Sequence, residues 1–314
     1  FAAAMLACPS TRAAADPVRE LCAVGRPIGV KLFSDGVLVI GFSDGESPAK
    51  DCGLKEGDVI TAIGGQSLDT IEEFRQLLAE NGEDAAALTV KRGSRTLTLE
   101  ASPQRDESGE YRLGAWVRDS MAGIGTVTFY DPASGTFGAL GHGVCDNGGL
   151  LKMTRGNAFE AAVAEVKRGK AGDPGQLRGA ADSPIPFAPL LKNTPQGVFG
   201  VSPHRWQGQT VPTAEYESVH TGPASIRAQI GTGQPREYSV EILKIYPETR
   251  ADHRNFLLRV TDPDLLKATG GIVQGMSGSP ILQNGKVIGA VTHVFVQDAA
   301  SGYGIFIENM LEPV

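Results

Sequence analysis

The chain has 314 residues, a length that fits two ordinary domains better than one. Its 29 basic and 36 acidic residues give a formal net charge of −7, and no basic stretch interleaves with aromatic residues, which argues against nucleic acid as a partner. The four scattered cysteines form neither a zinc-binding pattern nor a disulfide framework, so no metal and no cofactor are expected.

The chain begins with the alanine-rich stretch "FAAAMLAC", and no apolar run reaches the length of a membrane span. We interpret residues 1–25 as a leader, the remnant of a signal or membrane anchor, although an alanine-rich leader without a targeting role has the same composition. Contact with a membrane is expected only through this N-terminal segment.

Residues 26–101 follow the pattern of a small α/β module. Strands are predicted over residues 28–32, 36–42 and 59–63, with a turn at 34–36 and a short helix over 47–52. The main helix covers residues 70–80, since Thr70 and Glu73 can form a capping box and its apolar residues share one face. A hairpin over residues 88–99 completes the module.

Residues 102–112 are polar and charged and lack apolar periodicity, which predicts a linker. The region 113–314 then alternates strand patterns with turns. We predict strands over residues 124–130, 136–140, 225–230, 238–246, 256–260, 280–282 and 287–295, and prefer a strand to a helix over 158–170. This composition indicates an all-β barrel or sandwich.

The stretch "GMSGSPILQNGKVIGAV" contains the most specific chemical signal. Asn284 and Gly285 separate two apolar runs and predict a tight hairpin, so Ser277 lies just before it. A serine needs a base to become a nucleophile, and glycines around it let backbone N–H groups converge on an oxyanion. Ser277 is therefore a candidate nucleophile, with the N–H groups of Gly275 and Ser277 as the predicted oxyanion hole.

Any such mechanism needs a histidine, and His142 is the best candidate for the base. It lies at the end of a predicted strand in "GALGHG", between two glycines, where its ring can reach a cleft. His293 falls inside the apolar run "VTHVF" and is interpreted as a packed or cleft-wall residue. A cysteine nucleophile at Cys145 leaves the glycine-rich serine turn unexplained.

The order of elements in the first module, with its signature "GLKEGDVITAIGGQSL", resembles a PDZ domain of the kind attached to bacterial serine proteases. The resemblance implies that a peptide adds as a strand beside the second strand, facing the helix over residues 70–80. Carried onto this chain, the loop that would meet the peptide carboxylate is Ile28, Gly29 and Val30. The alternative from another functional class is a catalytically inactive PDZ scaffold that binds peptide C-termini.

The motifs "GIGTVTFYDPASGTFGALGHG", "VTDPDLL", "GGIVQGMSGSPILQNGKVIGAVTHVFV" and "GYGIFIENML" resemble the SpoIVB family of sporulation serine peptidases. The resemblance implies a mainly β protein in which a PDZ domain precedes a chymotrypsin-like barrel peptidase. It also implies His142 as base, Asp262 as orienting acid and Ser277 as nucleophile. Asp262 lies unusually close to the serine in sequence, so Asp131 and Asp146 remain substitutes for the acid.

The same resemblance carries expectations about biology. Members of the family are exported from the forespore into the intermembrane space, where they cleave themselves. They also cleave a regulatory protein of the membrane complex that processes a late sporulation sigma factor. We therefore expect protein or peptide substrates, autoproteolysis and a signalling role for this chain.

Overall fold

The computed structural model describes residues 18–45, 47–146, 149–202, 206, 209–247 and 250–314. The first elements are β1 (Glu20–Ala23), β2 (Pro27–Phe42), α1 (Pro48–Asp51), β3 (Val59–Ile63), β4 (Gln66–Ser67), α2 (Ile71–Asn81), β5 (Ala86–Arg92), β6 (Arg95–Ala101), β7 (Gln104–Arg105), β8 (Tyr111–Arg112), β9 (Ala115–Tyr130) and β10 (Thr136–Ala139). The remaining elements are β11 (Cys145–Asp146), β12 (Gly149–Leu150), β13 (Met153–Lys167), β14 (Gln176–Ala181), β15 (Ala188–Thr194), β16 (Gly197–Val201), β17 (Thr210–Pro212), β18 (Gly222–Ala228), β19 (Arg236–Ile245), β20 (Phe256–Val260), α3 (Pro263–Thr269), β21 (Pro280–Gln283), β22 (Lys286–Val294), β23 (Ser301–Phe306) and α4 (Ile307–Leu311).

Six antiparallel strands close a first barrel. Around the barrel the order is β2, β9, β10, β16, β15 and β13, and the pairing of β13 with β2 completes the ring. Leu32, Val127, Phe137, Ala158 and Val198 are buried in its core. The strand predicted over residues 158–170 is confirmed, because it falls largely within β13.

A second closed barrel follows, in the order β18, β19, β20, β23, β22 and β21. Along β19, Tyr238, Val240 and Ile242 are buried while the residues between them are exposed, as expected for strands with one face in a core. Two six-stranded antiparallel barrels form the chymotrypsin-like architecture, so the predicted fold of this region is confirmed.

A PDZ module lies between β2 and β9 in the sequence. Its sheet has the order β9, β2, β3, β5 and β6, and α2 packs against it. The predicted capping box is present: Glu73 N donates to Thr70 Oγ1 (3.1 Å) and Thr70 N donates to Glu73 Oε2 (3.0 Å). Phe74, Leu77 and Leu78 form the buried face of α2, which explains the apolar spacing seen in the sequence.

The long strands β2 and β9 belong to both units, and this corrects the predicted PDZ loop. Ile28, Gly29 and Val30 lie in the first half of β2, where β13 pairs with one edge and β9 with the other. Both edges of the backbone are therefore occupied, so these residues cannot receive a peptide as an added strand. They belong to the peptidase barrel, and the PDZ part of β2 begins after them.

The predicted leader and linker also contain ordered strands. Residues 1–17 lie outside the described residues, but β1, within the predicted leader 1–25, pairs with β9 and β17 in the peptidase sheet. Within the predicted linker 102–112, β7 and β8 form a small hairpin. In the part of the chain that the structure describes, no helix has the length and apolar character needed to cross a membrane.

Candidate active site

Ser277 lies in a tight turn between α3 and β21. Gly275 and Gly278 both have φ +96°, a conformation that favours glycine. A Cβ atom on Gly278 would lie 2.0 Å from the Thr126 carbonyl oxygen and 2.5 Å from Leu140 N. The glycines noticed in the sequence are therefore required by the backbone conformation and by close contact with the first barrel.

Two buried threonines of β9 hold this turn. Thr126 Oγ1 donates to the Gly275 carbonyl (2.8 Å), and Thr126 N donates to the Ser277 carbonyl (2.9 Å). Thr128 Oγ1 donates to the Gly278 carbonyl (2.7 Å). Since β9 pairs with β10, the strand that leads to His142, these bonds fix the serine turn relative to the histidine.

His142 follows a tight backbone turn at the end of β10. Leu140 has φ +71°, and Gly141 N donates to the Ala139 carbonyl (2.9 Å), which is the hydrogen bond of a γ-turn. The Nδ1 atom of His142 lies 3.0 Å from the Gly143 carbonyl oxygen. Because a carbonyl only accepts, this bond requires the proton on Nδ1 and leaves the Nε2 lone pair of the neutral ring available as a base.

Burial lowers the pKa of His142 below its ordinary value, although the hydrogen bond to Gly143 acts in the opposite direction. The imidazole is therefore neutral at neutral pH, the form in which it can accept a proton.

His142 and Ser277 line one cavity of about 570 Å³ at the junction of the two barrels. The hydroxyl of Ser277 donates to the Thr292 carbonyl (2.8 Å), and no hydrogen bond joins it to His142 among the described residues. A change of the Ser277 side-chain torsion is thus needed before Nε2 can receive its proton. Catalytic hydrogen bonds of this kind often form only when substrate is bound.

The backbone N–H groups predicted to form the oxyanion hole are available to a ligand. Within the part of the chain that the structure describes, neither Gly275 N nor Ser277 N donates to another protein group, whereas Met276 N donates to the Val273 carbonyl (3.1 Å). Two unpaired N–H groups that flank a paired one, next to the candidate nucleophile, can bind a developing negative charge.

The structure does not bring Asp262 to His142. Asp262 is the N-cap of α3, and its carboxylate accepts hydrogen bonds from Asp264 N and Leu265 N (both 3.0 Å) and from Ser239 N (3.3 Å). The two substitutes are also engaged elsewhere: the carboxylate of Asp131 accepts from Ala133 N and Ser134 Oγ, and Asp146 pairs with Arg118 at 2.7 Å. Among the described residues, the hydrogen-bond partner of His142 Nδ1 is the carbonyl of Gly143.

Three residues that hydrogen-bond to the serine turn were not predicted from the sequence: Thr126, Thr128 and Thr292. Thr126 and Thr128 contact a segment about 150 positions away in the chain, and Thr292 lies at a β-bulge. Neither feature produces a recognisable pattern in the local sequence. His293 lines the cavity, as its cleft-wall interpretation predicted. Cys145 also lines it, but among the described residues no hydrogen bond joins its thiol to the His142 ring.

A second cavity, of about 580 Å³, lies in the PDZ module between α2 and the beginning of β9. Over residues 115–118, β9 pairs with β2 on one side, and none of the described strands pairs with its other side. Apolar side chains of Ile71, Phe74 and Val117 line the cavity, with the exposed Trp116 at its border. At this cavity the unpaired edge of β9 faces α2, whereas both strand edges at Gly29 are already paired.

The chain matches two known protein families. The family described as SpoIVB peptidase S55 matches residues 109–311, and a PDZ domain family matches residues 44–92. The chain belongs to the SpoIVB peptidase S55 family. The resemblance drawn from the sequence motifs is confirmed: both the S55 peptidase family and the PDZ domain match this chain.

A curated relative is "Putative zinc metalloprotease CPE1693" of Clostridium perfringens, 37% identical over 68 residues. The match covers 22% of this S55 chain and 20% of that protein. The chain thus spans about a fifth of the relative's length. Within the described residues, no group of three or more His, Cys, Asp or Glu side chains is arranged to hold a metal ion.

Solved structures with local similarity include the PDZ domain of an SdrC-like protein from Listeria monocytogenes, with 26% identity over 26% of this chain and 87% of that chain (TM-score 0.24). The inactive form of the Rv3671c protease from M. tuberculosis is 16% identical over 60% of this chain and 80% of its own (TM-score 0.35). An HtrA-type protease, AlgW, with a decapeptide is 11% identical over 92% and 62% (TM-score 0.39). The fold assignment of this S55 peptidase rests on the strand pairing described above.

Proposed function

We propose that this protein is a serine endopeptidase in which Ser277 is the nucleophile and His142 the general base. The observation that supports this most directly is the shared cavity, with the Nδ1 proton of His142 held by the Gly143 carbonyl. In the worked serine–histidine–aspartate mechanism, a carboxylate sets the tautomer of the base. Here a backbone carbonyl performs that task.

The proposed reaction follows from these positions. Substrate binding moves the Ser277 hydroxyl from Thr292 O to Nε2 of His142, which takes its proton as Oγ attacks the peptide carbonyl carbon. The N–H groups of Gly275 and Ser277 stabilise the oxyanion of the tetrahedral intermediate. The imidazolium then gives its proton to the departing amine, and water hydrolyses the acyl-enzyme with His142 again as base.

The cavity also favours a class of substrate. Its walls include Met121, Ile124, Ile272, Val273, Val294 and Val296, and none of the described residues that line it is Asp, Glu, Lys or Arg. A charged substrate side chain buried there would have no counter-charge, which is costly. We therefore propose that apolar side chains flank the scissile bond.

The biological setting is also proposed, on the strength of membership in the SpoIVB family. The substrates would be the protein itself and a regulatory protein of the membrane complex that processes a late sporulation sigma factor. The site of action would be the space between the two membranes of a sporulating cell, reached by export from the forespore.

A fluorophosphonate probe tests the enzymatic proposal against an inactive scaffold, since it reacts only with an activated serine. We expect covalent labelling of the folded protein, located at Ser277 by peptide mass spectrometry. His142→Ala should abolish labelling because the base is lost. A folded protein that stays unlabelled would support the scaffold.

The role of Asp262 can be tested with two substitutions. Asparagine caps helices about as well as aspartate, whereas alanine loses about 1 kcal/mol of cap stabilisation. We expect Asp262→Asn to retain the kcat of the parent within about threefold, since its carboxylate does not contact His142, and Asp262→Ala to lower the melting temperature. A triad acid would instead lose about 10⁴-fold in kcat on conversion to the amide.

The PDZ groove is the proposed site for an extended segment of a protein substrate, which would add to the open edge of β9 beside α2. Trp116 is 63% exposed at this groove, so its removal should leave the fold intact. We expect Trp116→Ala to raise KM for a protein substrate about tenfold, equivalent to about 1.4 kcal/mol. Cleavage of a short peptide that reaches only Ser277 should be unchanged.

The matched control is Leu243→Ala, which removes an exposed apolar side chain from β19, away from the groove. It should affect neither substrate. Equal losses on protein and peptide in Trp116→Ala would mean that the groove controls the catalytic site itself, contrary to a docking role.

A further inference from the structure

His293 lies directly against the proposed base. The ring centroids of His142 and His293 are 5.1 Å apart, with an interplanar angle of 40°, and both rings line the catalytic cavity. No hydrogen bond joins the two rings among the described residues. Their contact is therefore one of packing rather than of proton exchange.

A β-bulge places His293 there. The register between β22 and β23 shifts between Val291, opposite Gly304, and His293, opposite Tyr303, so that Thr292 is the extra residue. The shift leaves the Thr292 carbonyl free to accept the Ser277 hydroxyl and carries the next side chain to the cavity wall. Bulges commonly redirect side chains next to active sites.

His142 has little other restraint on its ring. Its one hydrogen bond runs from Nδ1 to the carbonyl of the following residue, Gly143, and no described group holds Nε2. A ring held by one bond to an adjacent residue can still pivot about that bond. Packing against a second ring limits this motion and keeps water from that face.

The surroundings of His293 keep it uncharged. Its Nδ1 is buried without a hydrogen-bond partner among the described residues. Burial, followed by the charges of His142 and Arg254, lowers the pKa of His293 to about 4, while Asp252 acts in the opposite direction. Two further titratable groups belong to the same region: Tyr303 pairs with His293 across the sheet, and Cys145 lines the same cavity.

We propose that His293 is a positioning residue for His142: its neutral ring packs on the imidazole, keeps Nε2 directed toward the cleft and excludes water from the base. The proposal rests on the proposed function, since it assigns His293 a part in that mechanism. His293 neither gives nor receives a proton in the reaction. A neutral neighbour lets His142 become an imidazolium without repulsion from a second charge.

The lowered pKa of His142 determines how the proposed activity changes with pH. A base with a lowered pKa stays neutral further into the acid range, and activity is lost only as the pH falls through that lowered value. Removing the His293 ring admits water, which stabilises the imidazolium and raises the pKa of His142. The acid limb of the rate profile then moves to higher pH.

The test compares His293→Ala with His293→Phe, which keeps an aromatic ring but cannot titrate. With a short apolar peptide, His293→Ala should lower kcat about tenfold or more, because a small displacement of a catalytic group is enough for such a loss, with KM nearly unchanged. Its acid limb should move to higher pH. His293→Phe should retain most of kcat and the parent profile.

A second measurement does not need activity. The pKa of His142 is followed by NMR in protein that carries Ser277→Ala, with and without His293→Ala, after circular dichroism has shown both to be folded. A raised pKa of His142 in the double variant is expected, and an unchanged value would overturn the positioning role. A loss of kcat in His293→Phe as large as in His293→Ala would overturn it too, because it would show that the nitrogens of His293 are needed.

These outcomes are separable from failure of the proposed function. If the parent protein neither reacts with fluorophosphonate nor cleaves peptide, the peptidase mechanism fails whatever the titration of His142 shows. If the parent is active and the NMR titration is insensitive to His293, only the positioning role fails.

Discussion

Substitution of Ser277 by alanine should abolish peptide cleavage while the protein remains folded. The expected fall in kcat is about 10⁶-fold, the scale found when the nucleophile of another serine peptidase is removed. The structural cost is small, because the change removes one hydrogen bond, from Oγ to the Thr292 carbonyl, worth about 1 kcal/mol. Turnover of an apolar peptide and a thermal melt measure the two effects.

Ser279 provides a matched control in the same turn. It is fully buried, and its Oγ has no hydrogen-bond partner among the described residues, so Ser279→Ala removes a hydroxyl without breaking a hydrogen bond within the described part of the chain. We expect this variant to retain parental turnover. Normal turnover by folded Ser277→Ala, or equal losses in both variants, would rule out Ser277 as the nucleophile.

Local patterns were sufficient to predict much of the fold. The capping box of α2, with Thr70 and Glu73, and the hairpin at Asn284 and Gly285 between β21 and β22 follow from residues close in sequence. Such features depend on short-range hydrogen bonds and backbone preferences.

The division of β2 between two units could not be predicted in the same way. Ser34, Asp35 and Gly36 have the composition of a turn, but the strand continues through them, and the irregularity is a register shift against β9 between Phe33 and Leu38. Whether such residues end a strand or form a bulge depends on the partner strand. That partner lies about 80 positions away in the chain.

For Asp262, the local sequence predicts a helix cap, whereas the resemblance to the family implies a catalytic acid. Aspartate followed by proline is a common start of a helix, since Pro263 fits the first helical position and Asp262 can cap it. The motif "TDPDLL" by itself therefore predicts a helix that begins at Pro263 with Asp262 as its N-cap. The resemblance to the family implies a catalytic role for Asp262 instead, but in the structure its carboxylate caps α3 and makes no hydrogen bond to His142 among the described residues.

The shared strands also change how the PDZ groove relates to the active site. The polar segment 102–112 is predicted to be a linker, but β2 and β9 pair with each other in both units, so two paired strands join the groove to the peptidase barrel. Asp119 of β9, which is buried, accepts a hydrogen bond from Ile71 N at the start of α2 (3.1 Å). The substrate proposed to bind in the groove would therefore meet the peptidase in a geometry set by paired strands rather than by a flexible tether.

The second large effect is expected at Thr126, which the sequence did not indicate. Its buried hydroxyl donates to the Gly275 carbonyl and thereby orients the peptide unit next to a proposed oxyanion donor. Valine has the same shape but cannot donate, so Thr126→Val leaves that carbonyl without its partner and frees the turn to move. Because loss of one oxyanion donor costs about 10²–10³-fold in kcat, we expect a decrease of roughly 10²-fold with little change in KM.

Thr128→Val is the matched control for this prediction. Thr128 Oγ1 donates to the Gly278 carbonyl on the other side of Ser277, and the threonine is as deeply buried, so both variants should lose a similar 1–3 kcal/mol of folding stability. Of the two threonines, only Thr126 bonds to Gly275, whose N–H group is a proposed oxyanion donor. A kcat lowered much more in Thr126→Val than in Thr128→Val, at equal loss of stability in urea, would therefore separate orientation of the oxyanion hole from general weakening of the turn. Equal losses of kcat would assign both threonines a purely structural role.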